Sequence, residues 1–136
     1  MANESEKEQF IKVDKSLMQI KDGRFTKYRQ MVLSELLYQY HYFMEKHEIQ
    51  TYKDGRKYHF YSQQSEIAKK MGSDKKNIGL ALKWLEDKGY INYFSGFKPK
   101  YIHRATFITI NVDFINSKIN NAAEEKSIHN KGGNLL

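Results

Sequence analysis

Residues suited to nucleic-acid contact share the outward face of a helix predicted from Ser73 to Lys88. They are Lys75, Lys76, Asn77, Gly79, Leu80 and Lys83. A lysine neutralises a phosphate or donates to guanine, and Asn77 can pair through two hydrogen bonds with adenine. Gly79 would let a backbone or a sugar come close, and the Ser73 hydroxyl with the free amides at the helix start can hold a phosphate. The pattern therefore predicts a helix that enters the major groove of duplex DNA.

A second group of basic residues follows in the loop of a predicted C-terminal hairpin. The strands are predicted over Tyr90–Phe94 and Ala105–Val112, and the loop Ser95–Arg104 joins them. The basic residues are Lys98, Lys100, His103 and Arg104, with Tyr93, Phe97 and Tyr101 interleaved. Basic side chains on such a loop suit contacts with the minor groove or the phosphate backbone. A purely structural hairpin has no need of this charge, which favours a DNA-contacting wing.

Two helices of unequal length must position the first group. They are predicted over Gln63–Met71 and Asp74–Lys88. Ser62 and Ser73 are their predicted caps, and Gly72 and Gly89 end them because the residue after a helix often adopts the left-handed conformation. The inward face of the longer helix consists of Ile78, Ala81, Leu82 and Leu85. The two-residue connection forces a sharp crossing, which is typical of a helix-turn-helix.

The preceding elements are a long helix and a β-hairpin. The helix is predicted over Thr26–Lys46 because apolar residues recur at spacings of three and four. These residues are Tyr28, Val32, Leu36, Tyr40 and Phe43. The hairpin is predicted over Ile49–Tyr61 around a two-residue turn at Asp54-Gly55, since a tight turn needs a positive φ that Gly tolerates. A short strand with one helical turn over Phe10–Met18 and a last helix from Asp113 to about Glu125 complete the order.

This order of elements predicts an α+β fold. We expect a winged helix-turn-helix that is mainly helical, with an extra β-hairpin and a C-terminal β-hairpin wing. Residues 10–125 are predicted to form one DNA-binding domain, with flexible segments over 1–9 and 126–136. The pattern leaves open whether the last segment is the natural end of a small regulator or the start of a linker in a longer protein.

The positive charge of the chain is concentrated in two segments. The 136 residues carry a net charge of +7. Residues 66–104 hold nine Lys or Arg against four Asp or Glu, and residues 12–29 hold six against two. Such clustering favours a polyanionic partner, although a solvated basic surface has the same composition. The chain lacks cysteine and any apolar run near the roughly 18 residues of a membrane helix, and Met1–Gln9 is polar, so a cytoplasmic protein without a signal peptide is expected.

The sequence lacks the arrangements of residues expected of an enzyme or a metal site. The five histidines are scattered, and His41 and His47 are six residues apart, which on a helix points them away from a shared metal. The ten tyrosines are compatible with a nicking enzyme that uses a catalytic tyrosine, but such an enzyme also needs clustered metal-binding histidines, which the sequence lacks. There is also no glycine-rich phosphate loop. We therefore expect no catalytic activity, no metal and no cofactor.

The segment from Phe10 to Phe114 resembles a known family. The stretches "QFIKVDKSLM" and "DGRKYHFYSQQSEIAKKMGSDKKNIGLALKWLEDKGYI", with a long helix between them, are similar to the N-terminal DNA-binding domain of Gram-positive (staphylococcal-type) plasmid replication initiators. The resemblance implies that the chain binds repeats at a replication origin, often as a dimer, together with other replication proteins. The stretch "SGFKPKYIHRA" departs from the family because Lys98-Pro99 is not followed by the Asn of the usual Gly-Lys-Pro-Asn turn.

Other functions fit the same order of elements. A transcriptional repressor or a conjugation (relaxosome) accessory protein would use this fold on a promoter or a transfer origin. A winged helix can also serve protein contacts, in which case DNA binding would be weak with a small dependence on salt. A homodimer is expected because origin and operator sites are usually paired. Its interface is either the long helix with Tyr38 and Tyr42 or the last helix from Asp113.

Overall fold

The computed structural model describes residues 13–43, 46–98 and 103–122. The predicted flexible segments 1–9 and 126–136 lie outside the described residues, as do Phe10, Lys100 and Tyr101. Within the described ranges the chain combines helices with small antiparallel sheets, which confirms the predicted α+β class. The last predicted helix is described as far as residue 122.

The described residues contain five helices and five strands. The helices are α1 (Lys15–Met18), α2 (Lys27–Phe43), α3 (Gln64–Met71), α4 (Lys75–Asp87) and α5 over 112–122. The strands are β1 (Gln50–Thr51), β2 (Lys57–Tyr58), β3 (Phe60–Ser62), β4 (Ile91–Phe97) and β5 (Arg104–Ile110). β1 pairs with β2, while β3, β5 and β4 form a second antiparallel sheet with β5 in the middle.

The main core lies between the helices and the inner face of the three-stranded sheet. α4 buries Ile78, Leu82 and Leu85 completely, because their spacing places them on one face of the helix. They pack in one cluster with residues of α2 and of the sheet, which are Val32, Leu33, Leu36, Ile91, Ile108 and Ile110. The prediction that α2 contributes to the core is confirmed, although the helix ends before Lys46. This packing leaves the other face of α4 exposed.

The outer face of the same sheet is covered by the β1–β2 hairpin. Tyr52 of the hairpin forms a second buried cluster with Ala105 and Phe107 of β5, and Tyr58 and Phe94 pack against this cluster. A strand with one solvated face would alternate between buried and exposed residues. Instead, five of the seven residues of β5 are buried, because both of its faces are covered.

Two predicted helix caps are wrong, each by one position. Ser62 is the last residue of β3, and Gln63 stands at the cap position of α3 without a side-chain hydrogen bond. Asp74, not Ser73, caps α4, because its carboxylate accepts a hydrogen bond from the backbone N–H of Asn77 at 2.8 Å. Serine and aspartate are both good caps, so the local sequence does not decide which of two neighbours takes the position.

Two polar contacts hold the α3–α4 pair against α2. The hydroxyl of Ser73 lies 2.7 Å from the hydroxyl of Tyr28, so this serine contacts α2 and does not cap α4. At the other contact, Lys70 of α3 donates to the buried carboxylate of Glu35 at 2.7 Å. The turn between the helices follows Gly72, which has the predicted left-handed conformation with a φ of 61°. The turn of the pair is therefore tied to the central helix.

The strand boundaries differ from those predicted. The first hairpin ends at Tyr58, and the chain then moves to the other sheet, where β3 pairs with β5. The N–H of Tyr52 donates to the carbonyl of Arg56 at 2.8 Å. The turn therefore encloses residues 53–55 and is longer than the predicted two-residue turn. In the second hairpin Phe97 pairs with Arg104, so the predicted ten-residue loop shortens to residues 98–103.

Buried His59 is expected to make the stability of the fold depend on pH. Its Nδ1 accepts a hydrogen bond from the N–H of Ile110 at 3.0 Å, which requires a neutral ring. Burial, and secondarily the nearby His47, lower the pKa of His59 below its ordinary value of 6.5. Below that pH the unfolded chain binds a proton that the folded chain binds less readily. Stability should therefore fall from pH 6.5 downward until the folded pKa is reached.

Urea denaturation on both sides of pH 6.5 measures this effect. The contribution of His59 should approach a slope of about 1.4 kcal/mol per pH unit. His59→Gln retains an acceptor for the N–H of Ile110 but does not titrate, so the variant should lose less stability on acidification than the wild type. Equal losses in the two proteins would show that another group is responsible.

Candidate nucleic-acid interface

The outward face of α4 carries most of the side chains predicted to contact DNA. Because Ile78, Ala81, Leu82 and Leu85 are buried, the opposite side of the helix is left to solvent. The exposed residues of the predicted set are Lys75, Lys76, Asn77, Leu80 and Lys83. Leu80 is 58% exposed, which is unusual for a leucine in a small fold. The structure therefore brings three cations, one amide and one apolar side chain together on one surface.

Gly79 and Ser73 are placed differently from the rest of the predicted set. A Cβ atom at Gly79 would lie 3.3 Å from Oε1 of Gln64, so this glycine faces α3 and permits the close crossing of the two helices. The Ser73 hydroxyl is engaged with Tyr28. Both residues therefore shape the helix pair rather than adding to the exposed face of α4.

A polar cleft of about 370 Å³ opens between the start of α3, the start of α4 and the β4–β5 hairpin. It is lined by Gln63, Gln64, Ser65, Lys75, Ser95, His103, Arg104, Ala105 and Thr106. Its walls are held by a hydrogen bond from Gln64 Nε2 to the hydroxyl of Thr106 at 2.8 Å and by one from Arg104 to the hydroxyl of Ser95 at 3.1 Å. None of these described lining residues is Asp or Glu, so the cleft suits an anionic group such as a phosphate.

The basic residues of the β4–β5 hairpin lie on both faces of the sheet. Arg104 lines the cleft, and its guanidinium lies 4.7 Å from the ring centroid of Phe97. Lys98 is partly buried, and its Nζ lies 5.9 Å from the ring of Tyr61, which packs on the outer face against Phe107. Of the four predicted basic residues, His103 and Arg104 thus reach the cleft. Lys100 lies outside the described residues.

A second cavity lies where the start of α2 meets the outward side of α4. It has a volume of about 290 Å³ and is lined by Thr26, Tyr28, Arg29, Asn77, Leu80 and Ala81. The guanidinium of Arg29 lies over the ring of Trp84 at 4.6 Å, and exposed Arg24 and Lys27 are its near neighbours in sequence. The exposed face of α4 is therefore flanked by a basic segment that the predicted site did not include. The excess charge of residues 12–29 was a signal for it, but sequence alone did not place that segment beside α4.

Exposed aromatic residues form a separate patch at the end of α2. Tyr38 and Tyr42 stack with ring centroids 5.3 Å apart, and Phe43 packs edge-on against both. Tyr42 is 69% exposed. Tyr38 and Tyr42 belong to one of the two predicted dimer interfaces. Phe43 was predicted on the apolar inner face of the helix, but that prediction is wrong because its side chain is 65% exposed. The three rings together leave apolar surface available on this side of the molecule.

His41 of α2 and His47, which lies beyond the helix, are closer together than predicted. The rings of His41 and His47 are 5.3 Å apart, and the ring of His47, whose φ is 53°, stacks on Tyr40 at 4.3 Å. Among the described residues, no group of three His, Asp or Glu side chains is arranged to hold a metal ion. None of the described helices is long and apolar enough to cross a membrane.

No protein family, curated protein or solved structure was found to match the chain. The case for DNA binding therefore rests on the residues and geometry of the surface formed by α4, the polar cleft and the β4–β5 hairpin.

Proposed function

We propose that the chain is a winged helix-turn-helix domain that binds duplex DNA in a sequence-specific manner. α3 and α4 form the helix-turn-helix, and the β4–β5 hairpin is the wing. The observation that supports this most strongly is the polar cleft, where Lys75 of α4 meets His103 and Arg104 of the wing without a carboxylate among the described lining residues. Cations from separate elements that converge on one cleft suit the phosphate backbone of DNA.

In the proposed complex α4 enters the major groove with its first turns. Its 13 residues make a helix about 20 Å long, and the diameter of an α-helix, about 10–12 Å, fits a major groove about 12 Å wide. Asn77 lies in the first turn, where helices of this class contact base edges, and its side chain forms no hydrogen bond within the described residues. Lys76 and Lys83 lie on the same exposed face and supply contacts to phosphate or guanine.

The biological role that we propose is recognition of repeated sites at the origin of a plasmid or phage. It is supported by the resemblance of residues 10–114 to the N-terminal domain of plasmid replication initiators. A homodimer on paired sites fits this role, and the exposed patch of Tyr38, Tyr42 and Phe43 offers one surface for it. The same DNA-binding surface would serve a cytoplasmic repressor or a relaxosome accessory protein, which differ in the site that is bound.

Selection from a pool of random duplexes tests the proposed function. We expect one motif to be enriched and the affinity for it to fall steeply with salt, because several cations displace counterions. Footprinting across the replicon then separates the roles, since protection of origin repeats, of a promoter or of a transfer origin identifies each. Failure to enrich any motif, with a small salt dependence, would contradict DNA binding.

Removal of single charges from the cleft should reduce the salt dependence of binding. Lys75→Gln and Arg104→Gln are each expected to lower the slope of log affinity against log salt by about 0.9, and to weaken binding to all duplexes alike. Lys118→Gln is the matched control, because Lys118 is exposed on α5 and lies near Phe114 rather than the cleft. An unchanged slope in both cleft variants would show that the cleft does not hold a phosphate.

A further inference from the structure

The β1–β2 hairpin is fixed in place against the wing. The hydroxyl of Tyr52 accepts a hydrogen bond from the N–H of Phe97 at 2.9 Å, across 45 positions of sequence. A Cβ atom at Gly96 would lie only 2.9 Å from the end of the Tyr52 ring, so glycine at this position allows the hairpin to approach β4. Tyr52 is itself buried. The position of the hairpin turn relative to the wing is therefore determined by the fold.

The three basic residues of the hairpin have different surroundings. Arg56 is paired with Asp54 and lies 3.9 Å over the ring of Phe94, and this pairing lowers the pKa of Asp54. Lys57 donates to the hydroxyl of Thr51 at 2.8 Å. Within the described residues Lys53 forms neither an ion pair nor a hydrogen bond, and its charge faces solvent. Binding of a new anion would therefore break the fewest existing interactions at Lys53.

The ammonium group of Lys53 lies beside the wing. Its Nζ is 5.7 Å from the ring centroid of Phe97, on which the guanidinium of Arg104 also lies, at 4.7 Å. Phe97 is 40% exposed, although a phenylalanine is normally buried. One exposed ring is thus flanked by a cation of the hairpin and by a cation of the wing. The two positive charges can bind phosphates, and the exposed ring can lie against the sugar between them, so the combination is complementary to a sugar-phosphate backbone.

We propose that the β1–β2 hairpin is a second DNA-contacting element, in which Lys53 binds a backbone phosphate next to the one held at Arg104. The inference rests on the proposed function, because it extends the same surface. It adds to the interface an element that precedes the helix-turn-helix in the chain. The hairpin then has two roles, since it covers the outer face of the sheet and lengthens the contact with DNA.

The test compares two single charge removals on the same hairpin. Lys53→Gln should lower the salt slope of DNA binding by about 0.9, and Lys53→Arg should retain the wild-type slope. Lys57→Gln is the control, because Lys57 lies beside Thr109 of β5. Thr109 is five residues along β5 from Arg104. That separation is about 17 Å along a strand. Both side chains are exposed, so thermal unfolding should be unchanged in each variant.

The possible outcomes distinguish this inference from the proposed function. A loss of slope in Lys53→Gln alone supports the hairpin contact. Wild-type slopes in both hairpin variants, with a reduced slope in Lys75→Gln, would overturn the hairpin contact and leave the proposed function standing. Equal losses in Lys53→Gln and Lys57→Gln would also overturn it, because they would indicate a general effect of net charge. If Lys75→Gln and Arg104→Gln also leave the slope unchanged, the cleft contact fails as well, and failure to enrich any motif from random duplexes would overturn the proposed function itself.

Discussion

Phe107→Ala should lower the free energy of unfolding by about 3–5 kcal/mol, the range for a large aromatic side chain removed from a core. Phe107 is 1% exposed, and its ring is surrounded by those of Tyr52, Tyr58, Tyr61 and Phe94 at centroid distances from 4.8 to 5.4 Å. Alanine would leave a cavity between the β1–β2 hairpin and the sheet. The rigid rings around this cavity collapse poorly, so the loss should lie in the upper part of the range.

Urea denaturation measures the change as a lower midpoint at an unchanged m value. Met18→Ala is the control, since Met18 is a large apolar side chain that is 60% exposed and its removal should change stability by less than about 0.5 kcal/mol. A loss below about 1 kcal/mol in Phe107→Ala would mean that the hairpin is not packed on the sheet. In that case the proposed contact at Lys53 would lose its structural basis.

Asn77→Ala should weaken binding to the preferred duplex by about 1–3 kcal/mol, or roughly 5- to 150-fold. The expected cause is loss of two hydrogen bonds to adenine, so discrimination at one base position should be relaxed as well. The fold should not suffer, because the cap of α4 uses only the backbone N–H of Asn77, which alanine retains. Alanine is also the better helix former.

Competition with duplexes that carry single base changes measures this effect. Asn116→Ala removes the same side chain from an exposed position on α5 and should bind like the wild type. α5 is close to the other end of α4, where Phe114 packs against Gly89. An equal loss for all duplexes in Asn77→Ala would contradict a base contact and would indicate a contact with the backbone.

The two faces of α4 could be predicted because they depend on local spacing. Ile78, Leu82 and Leu85 recur at intervals of three and four, and their burial determines which residues remain exposed. The ends of α3 and α4 were equally predictable, since Gly72 and Gly89 have φ values of 61° and 93° that few other residues adopt readily. These features need no information from distant parts of the chain.

The docking of the hairpin could not be predicted, because it depends on residues far apart in sequence. Tyr52 and Gly96 have ordinary local patterns, and only the folded chain places one against the other. The role of Ser73 is similar, since its hydroxyl contacts that of Tyr28, 45 positions away, while Asp74 caps α4. The excess of basic residues at the start of α2 could be read from the sequence. Its position beside α4 could not, because that position follows from the packing of the core.

The stack of aromatic rings around Trp84 gives the protein a built-in optical probe. Trp84 is the single tryptophan of the chain, and it stacks with Phe25 and Tyr90 at 5.6 and 6.1 Å. Its fluorescence therefore reports on the contact between α4 and the segment before α2. The outer cluster around Phe107 holds Tyr52, Tyr58 and Tyr61 but not the tryptophan, so its unfolding changes the tyrosine bands of the near-ultraviolet circular dichroism rather than the tryptophan fluorescence. Melting curves from the two signals will coincide if the two sides of the sheet unfold as one cooperative unit, and will separate if the hairpin side opens first.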